Sequence, residues 1–146
     1  MISVEKVREL VIEPLAKNRP GYVYAASGLV RLENRVFIIA DDELHMAEFD
    51  VRDSQPGNWI KLLPGVLPID YSERKKVKPD LETITHLQPY EHAPHGALLV
   101  VPSMSRPNRV TGVILNLNQS LSIDGAPLPI DFSDICKKLT SSIDGL

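Results

Sequence analysis

The sequence predicts an all-β fold made of two four-stranded antiparallel units, about 22–64 and 81–130, followed by one helix at 131–142. Three observations predict it. Short stretches of alternating or continuous apolar character recur along the chain, separated by turn residues. The 12 prolines and 8 glycines are spread between these stretches and not gathered into one linker. The second half repeats the order of segments found in the first.

"VRELVIE" (7–13) is expected as an opening strand closed by Pro14, and "AKNRPGY" as a loop. "SGLVRLE" (27–33) alternates, and "NR" makes a tight turn. "VFIIA" (36–40) is a continuous apolar run that suits a buried strand. "DDEL" turns the chain, "HMAEFDV" (45–51) alternates again, and "WIKLLP" (59–64) closes the first unit. In the second unit "ETITHL" (82–87) alternates, "QPYEHAPHG" is a loop and "ALLVVPS" (97–103) an apolar run. "MSRPNR" turns, "VTGVILNL" (110–117) is a strand, and "NQSLSIDGAPLPI" (118–130) is an edge-like strand rich in turn residues.

Ser27-Gly28-Leu29-Val30 lies over Glu82-Thr83-Ile84-Thr85 at an offset of 55. Val36 lies over Ala97 at an offset of 61, the extra residues falling in the longer hairpin around "QPYEHAPH". Repeated four-stranded antiparallel units are the mark of β-propeller blades. Blades bury their faces against neighbours, so two blades alone leave apolar faces bare. A single eight-stranded sandwich or barrel is the rival arrangement. An alternating first strand, a buried apolar second strand and long outer turns favour blades. In "DFSDICKKLTSSIDGL", Phe132, Ile135, Cys136 and Leu139 fall at helical spacing, with Asp131 or Ser133 as cap. "SIDGL" reads as the approach to another strand, so the expectation is part of a longer propeller.

A net charge of −3 argues against general nucleic-acid binding, and 5% aromatic content against a base-stacking platform. One cysteine, Cys136, excludes an intrachain disulfide and a cysteine-rich zinc site, and its place on the apolar face of the helix suggests a small core residue. Charged residues Glu5, Lys6, Arg8 and Glu9 stand where a signal peptide needs an apolar stretch, and no run is long enough to cross a membrane. A soluble, cytoplasmic protein is expected.

"ASGLVRLENRVFIIADDELHMAEFDV" followed by "KPDLETITHL" resembles an uncharacterised bacterial family of propeller proteins. That family is distantly similar to the esterase-like domain of some phytases and to other six-bladed propellers. The closest matches are Ser27-Gly28-Leu29, Asp41, Lys78-Pro79-Asp80-Leu81-Glu82 and the turn "SMSRPNR". The resemblance implies a propeller fold and, through the phytase-like relatives, metal-assisted hydrolysis. Thr83 stands where those relatives carry glycine.

Asp80 and Glu82 at the start of the "ETITHL" strand would face a central channel, with Ser27 at the equivalent place in the first unit. Carboxylates converging there would suit Ca²⁺ or Mg²⁺, hard cations that prefer oxygen ligands and that polarise phosphoryl or carbonyl oxygens. The structural alternative is that Glu82 bonds backbone of a neighbouring blade. Glu82, Ile84 and His86 are expected on one face of that strand. Asp41 and Asp42 end "VFIIA", where turn chemistry alone accounts for Asp. Arg106 and Arg109, with Ser103, Ser105 and Asn108, offer forks for phosphate or carboxylate; a solvated hairpin is the alternative. Arg74, Lys75, Lys76 and Lys78 would draw anions, or simply be solvated. His92 and His95 lie at a hairpin tip without a third ligand nearby. Ser27 is not a nucleophile elbow, which needs G-x-S-x-G.

Two functions follow. One is a propeller that binds a small anionic molecule or a metal and hydrolyses a phosphoester, ester or lactone. The other is a non-catalytic scaffold for protein interaction. Either way self-association, or pairing with a missing C-terminal half, is expected, because bare blade faces exceed the apolar patch of a typical monomer.

Overall fold

The computed structural model describes residues 3–143. Two four-stranded antiparallel sheets follow each other along the chain. The first runs β1 (Ala26–Leu32), β2 (Arg35–Ala40), β3 (His45–Asp50) and β4 (Asn58–Lys61) in that spatial order. A short helix α1 (Tyr71–Val77) leads to the second, β5 (Leu81–Leu87), β6 (Ala97–Pro102), β7 (Thr111–Asn116) and β8 (Leu128–Asp131). Helix α2 (Ser133–Ile143) follows. The sheets are separate meanders and not one interleaved barrel.

Their registers match residue for residue. Ala26 faces Ala40 as Leu81 faces Pro102, and Leu32 faces Arg35 as Leu87 faces Ala97. Arg35 pairs with Asp50 as Ala97 with Asn116, and His45 with Lys61 as Thr111 with Asp131. The second strands are therefore offset by 62, placing Arg35, not Val36, over Ala97. Apolar runs alone cannot fix register to one residue, because every position in them looks alike.

The sheets stack by unlike faces. The main core joins Phe37, Ile39 and Met46 of the first sheet to Ile84, Leu98, Val100, Val113 and Leu115 of the second. By the repeat, Leu98, Val100, Val113 and Leu115 correspond to Val36, Ile38, Ala47 and Phe49, which lie on the opposite face of the first sheet. One face of the first sheet thus meets the other face of the second.

The face carrying Val36, Ile38, Ala47 and Phe49 is not bare, as the sequence led us to expect. The N-terminal segment covers it with Leu10 and Ile12. No strand forms over 7–13; only Ile12 makes an isolated parallel bridge, to Gly57. The Ile12 N–H donates to the Gly21 carbonyl at 3.0 Å, and the Gly57 N–H to the Val11 carbonyl at 2.8 Å. Charged neighbours Glu9 and Glu13 are exposed, so only one turn of the segment has an apolar side to bury.

Helix α1 carries the basic run Arg74, Lys75 and Lys76, for which the sequence suggested no helix. Asp70 caps it, accepting from the Glu73 N–H at 3.0 Å, and Pro79 lies just beyond its C-terminal cap, Lys78. Seven residues with Arg74 as the buried one carry no apolar stripe to read. Helix α2 agrees with expectation, and the Asp131 carboxylate just before it accepts from the Ser133 N–H at 2.8 Å. Cys136 is half-buried, its Sγ 3.9 Å from the Met104 carbonyl oxygen.

Candidate functional site

Both first strands carry a bulge at their start. Pairing slips between Ala26 and Gly28, and between Leu81 and Thr83, so Ser27 and Glu82 are the extra residues. The residue two positions before each bulge residue, Ala25 or Asp80, has positive φ (53° and 59°). Aspartate tolerates this region better than most residues, because its short polar side chain bonds locally. A backbone relay ties the sheets together here: Asp41 N–H donates to the Ala25 carbonyl, Asp80 N–H to the Asp41 carbonyl, and Ser103 N–H to the Asp80 carbonyl, at 3.2, 3.0 and 2.8 Å. Ser27 Oγ donates to the Leu81 carbonyl at 2.6 Å, joining the two first strands.

This relay brings together Asp41, Asp80 and Glu82, one carboxylate oxygen from each lying within 4.8 Å of the others. Lys78 sits among them, pairing with Asp41 and, at 2.5 Å, with Asp80 Oδ1. Asp80 Oδ2 accepts from Ser103 Oγ at 2.5 Å, Ser105 Oγ at 3.2 Å and Arg109 NH1 at 2.8 Å. Arg109 is buried, and also donates to Ser105 Oγ and the Lys75 carbonyl, both at 3.1 Å. The turn "SMSRPNR" is thus fastened by Asp80 and is not a free hairpin; Ser105, Arg106, Pro107 and Asn108 are its exposed residues, and Asn108 Nδ2 donates to the Lys76 carbonyl at 3.1 Å.

Burial pushes the Asp80 carboxyl up, but hydrogen bonds from Lys78 and Ser103 and the charges of Lys78 and Arg109 outweigh it, holding it below the usual range. Burial likewise works against the Lys78 ammonium, and its bonds to Asp41 and Asp80 prevail and raise its pKa. Glu82 differs. The residue is exposed, and among the described residues its carboxylate has no hydrogen-bonding partner. Desolvation at the strand mouth and the charges of Asp80 and Asp41 push it up. The bulge also breaks the expected alternation: Leu81 and Ile84 are buried while Glu82 and Thr83 are exposed, so Glu82 does not share a face with Ile84.

Beside this group is a small pocket of about 120 Å³ lined by Tyr24, Asp41, Asp42, Tyr71, Lys75 and Lys78 among others. Asp42 is buried against Arg74 NH1 at 3.2 Å and Arg19 NH1 at 3.5 Å. Burial raises its pKa in spite of Arg19. A cleft of about 240 Å³ lies on the far side of Arg74, between Leu15, Arg19 and the loop 65–69. His92 and His95 are exposed in the long hairpin and, among the described residues, join no group that could hold a metal ion.

The sequence singled out Asp80 and Glu82 together but Asp41 and Arg109 as separate candidates; the fold gathers all four around Lys78, which sequence reading missed as their counter-ion, as it missed the buried pair of Asp42 and Arg74. The legible signal was "KPD": proline holds Lys78 extended and ends the preceding helix, so its side chain must start beside Asp80.

Fold and site define a mostly-β protein of two repeated antiparallel sheets pinned together by an ionic node at the starts of their first strands. A family described as of unknown function (DUF6929) matches residues 22–145, and the chain belongs to it. No curated protein matches the chain, and no solved structure does. Among the described residues no helix is long and apolar enough to cross a membrane.

Proposed function

We propose that the chain forms two successive blades of a β-propeller and works as a non-catalytic binding scaffold. The observation that carries this is the stacking of unlike faces in one shared register, Phe37 and Ile39 against Leu98 and Val100. A contact between unlike faces can be repeated by a third sheet and a fourth, whereas a sandwich closes by facing its two inner surfaces. The scaffold part rests on the ionic node. Asp80, Arg109 and Lys78 bond to one another and, with Ser27, to neighbouring side chains or backbone, which fixes one blade to the next and leaves no activated nucleophile at the node among the described residues. The half-buried lone Cys136 fits a reducing, cytoplasmic setting.

A second reading, favoured by the proximity of Asp41, Asp80 and Glu82, is a Ca²⁺ or Mg²⁺ centre that polarises a small anionic ester for hydrolysis. Lys78 already supplies the positive charge such an ion would bring, so the ion has to displace an ammonium held by two carboxylates. Thermal melts of the wild-type chain and of Glu82→Gln, each with calcium and with chelator, test the choice. The scaffold reading expects no calcium effect in either chain. A calcium-dependent rise in wild type that Glu82→Gln abolishes would establish the metal reading instead.

A further inference from the structure

We infer that the N-terminal segment is a displaceable cap on a docking face, and that the occupant it excludes is the second sheet of another copy of this chain. The inference rests on the blade reading and adds to it a partner and a regulating segment.

The intramolecular interface supplies the template. Phe37, Ile39 and Leu62 of the first sheet are covered by the second sheet and are 0%, 0% and 5% exposed. Their repeat equivalents on the second sheet are Leu99, Val101 and Phe132, and all three are only half-buried. Leu99 and Val101 point away from the main core, because Leu98 and Val100 point into it. The second sheet thus presents again the face with which the first sheet binds it. Phe132 lies over Gly112, whose missing side chain leaves the ring its place.

The complementary face exists in the same molecule. Val36, Ile38, Ala47 and Phe49 stand where Leu98, Val100, Val113 and Leu115 stand in the second sheet, and these last four are what fills the template interface. Here the cap intervenes. Leu10 and Ile12 pack on that face, Arg8 donates to the Asp50 carbonyl at 3.0 Å, and Trp59 Nε1 donates to the Glu13 carbonyl at 2.7 Å. The cover is incomplete. Leu29 is 58% exposed, while its equivalent Ile84, under the sister sheet, is 7% exposed. A segment with one isolated bridge is a weaker cover than a four-stranded sheet. Docking would join unlike faces of two copies, a heterologous contact that propagates head to tail unless the ring closes.

The test is sedimentation of the full chain with Ile12→Asp, which places a charge on the capped face and expels the segment. The expected result is self-association about tenfold tighter than wild type, returned to the wild-type level by adding Val101→Arg on the opposite face. A monomeric Ile12→Asp chain with the wild-type circular dichroism, or assemblies indifferent to Val101→Arg, would overturn the inference. If Ile12→Asp loses its β-sheet signal, Arg8→Ala replaces it and is judged by the same two outcomes. Failure here leaves the scaffold reading intact, since calcium-independent melting tests that separately.

Discussion

Ser27 and Glu82 occupy the same position in their respective sheets, each the extra residue of a bulge at the start of the first strand. Ser27 turns its hydroxyl onto the Leu81 carbonyl and stitches the sheets together. Glu82 stays exposed, next to Asp41 and Asp80. One repeat position thus serves cohesion in one sheet and adds unpaired charge in the other.

Asp80→Asn should destabilise the protein by about 3–5 kcal/mol, because it leaves the buried Arg109 guanidinium and the Lys78 ammonium without their shared carboxylate. Asparagine keeps the positive-φ backbone, so the loss reports charge and not strain. Urea denaturation measures it, and a loss below about 1 kcal/mol, the size of an exposed pair, would show the node to be dispensable.

Asp80 and Glu82 should give opposite pH dependences. The Asp80 carboxyl is held below its ordinary 3.8, so its contribution is full above that pH and is lost as pH falls towards its folded value. The Glu82 carboxyl is raised above 4.5, so ionising it costs the folded state stability as pH rises through and beyond 4.5. Glu82→Gln should therefore melt at or above the wild-type temperature at neutral pH, with the difference vanishing well below pH 4.5. A Glu82→Gln chain less stable than wild type at neutral pH would contradict the placement of that carboxylate.

Gly57→Ala should cost about 1–3 kcal/mol by overpacking. An added Cβ would lie 2.5 Å from Phe49 Cε1 and 2.8 Å from the Glu48 carbonyl oxygen. Gly57 is also the bridge partner of Ile12, so the same change should raise amide exchange in 10–13. Unchanged exchange there would show that the cap is held by other contacts.

Strand order and the repeat were legible because period-2 alternation and continuous apolar runs survive in any register. The bulges were not: one inserted residue reverses which side faces the core, so Glu82 was wrongly grouped with Ile84. Helix α1 hid behind its charges, since its buried residue is Arg74, whose partner Asp42 lies 32 residues earlier. Lys78 looked like one more solvated lysine because its two carboxylate partners include Asp41, brought near only by the stacking of the sheets. The cap was misread as a strand because "VRELVIE" alternates well enough, yet it has a pairing edge only at Gly57.

The central claim is that the Lys78 ammonium, held by Asp41 and Asp80, takes the place a metal ion would have among Asp41, Asp80 and Glu82. Calorimetric melts of wild type and Lys78→Ala, each with calcium and with chelator, test it most directly. The account predicts that calcium leaves the wild-type melting temperature unchanged and raises that of Lys78→Ala, where Asp41, Asp80 and Glu82 have lost their internal counter-ion. Calcium stabilisation of wild type, undiminished or lost in Lys78→Ala, would contradict it.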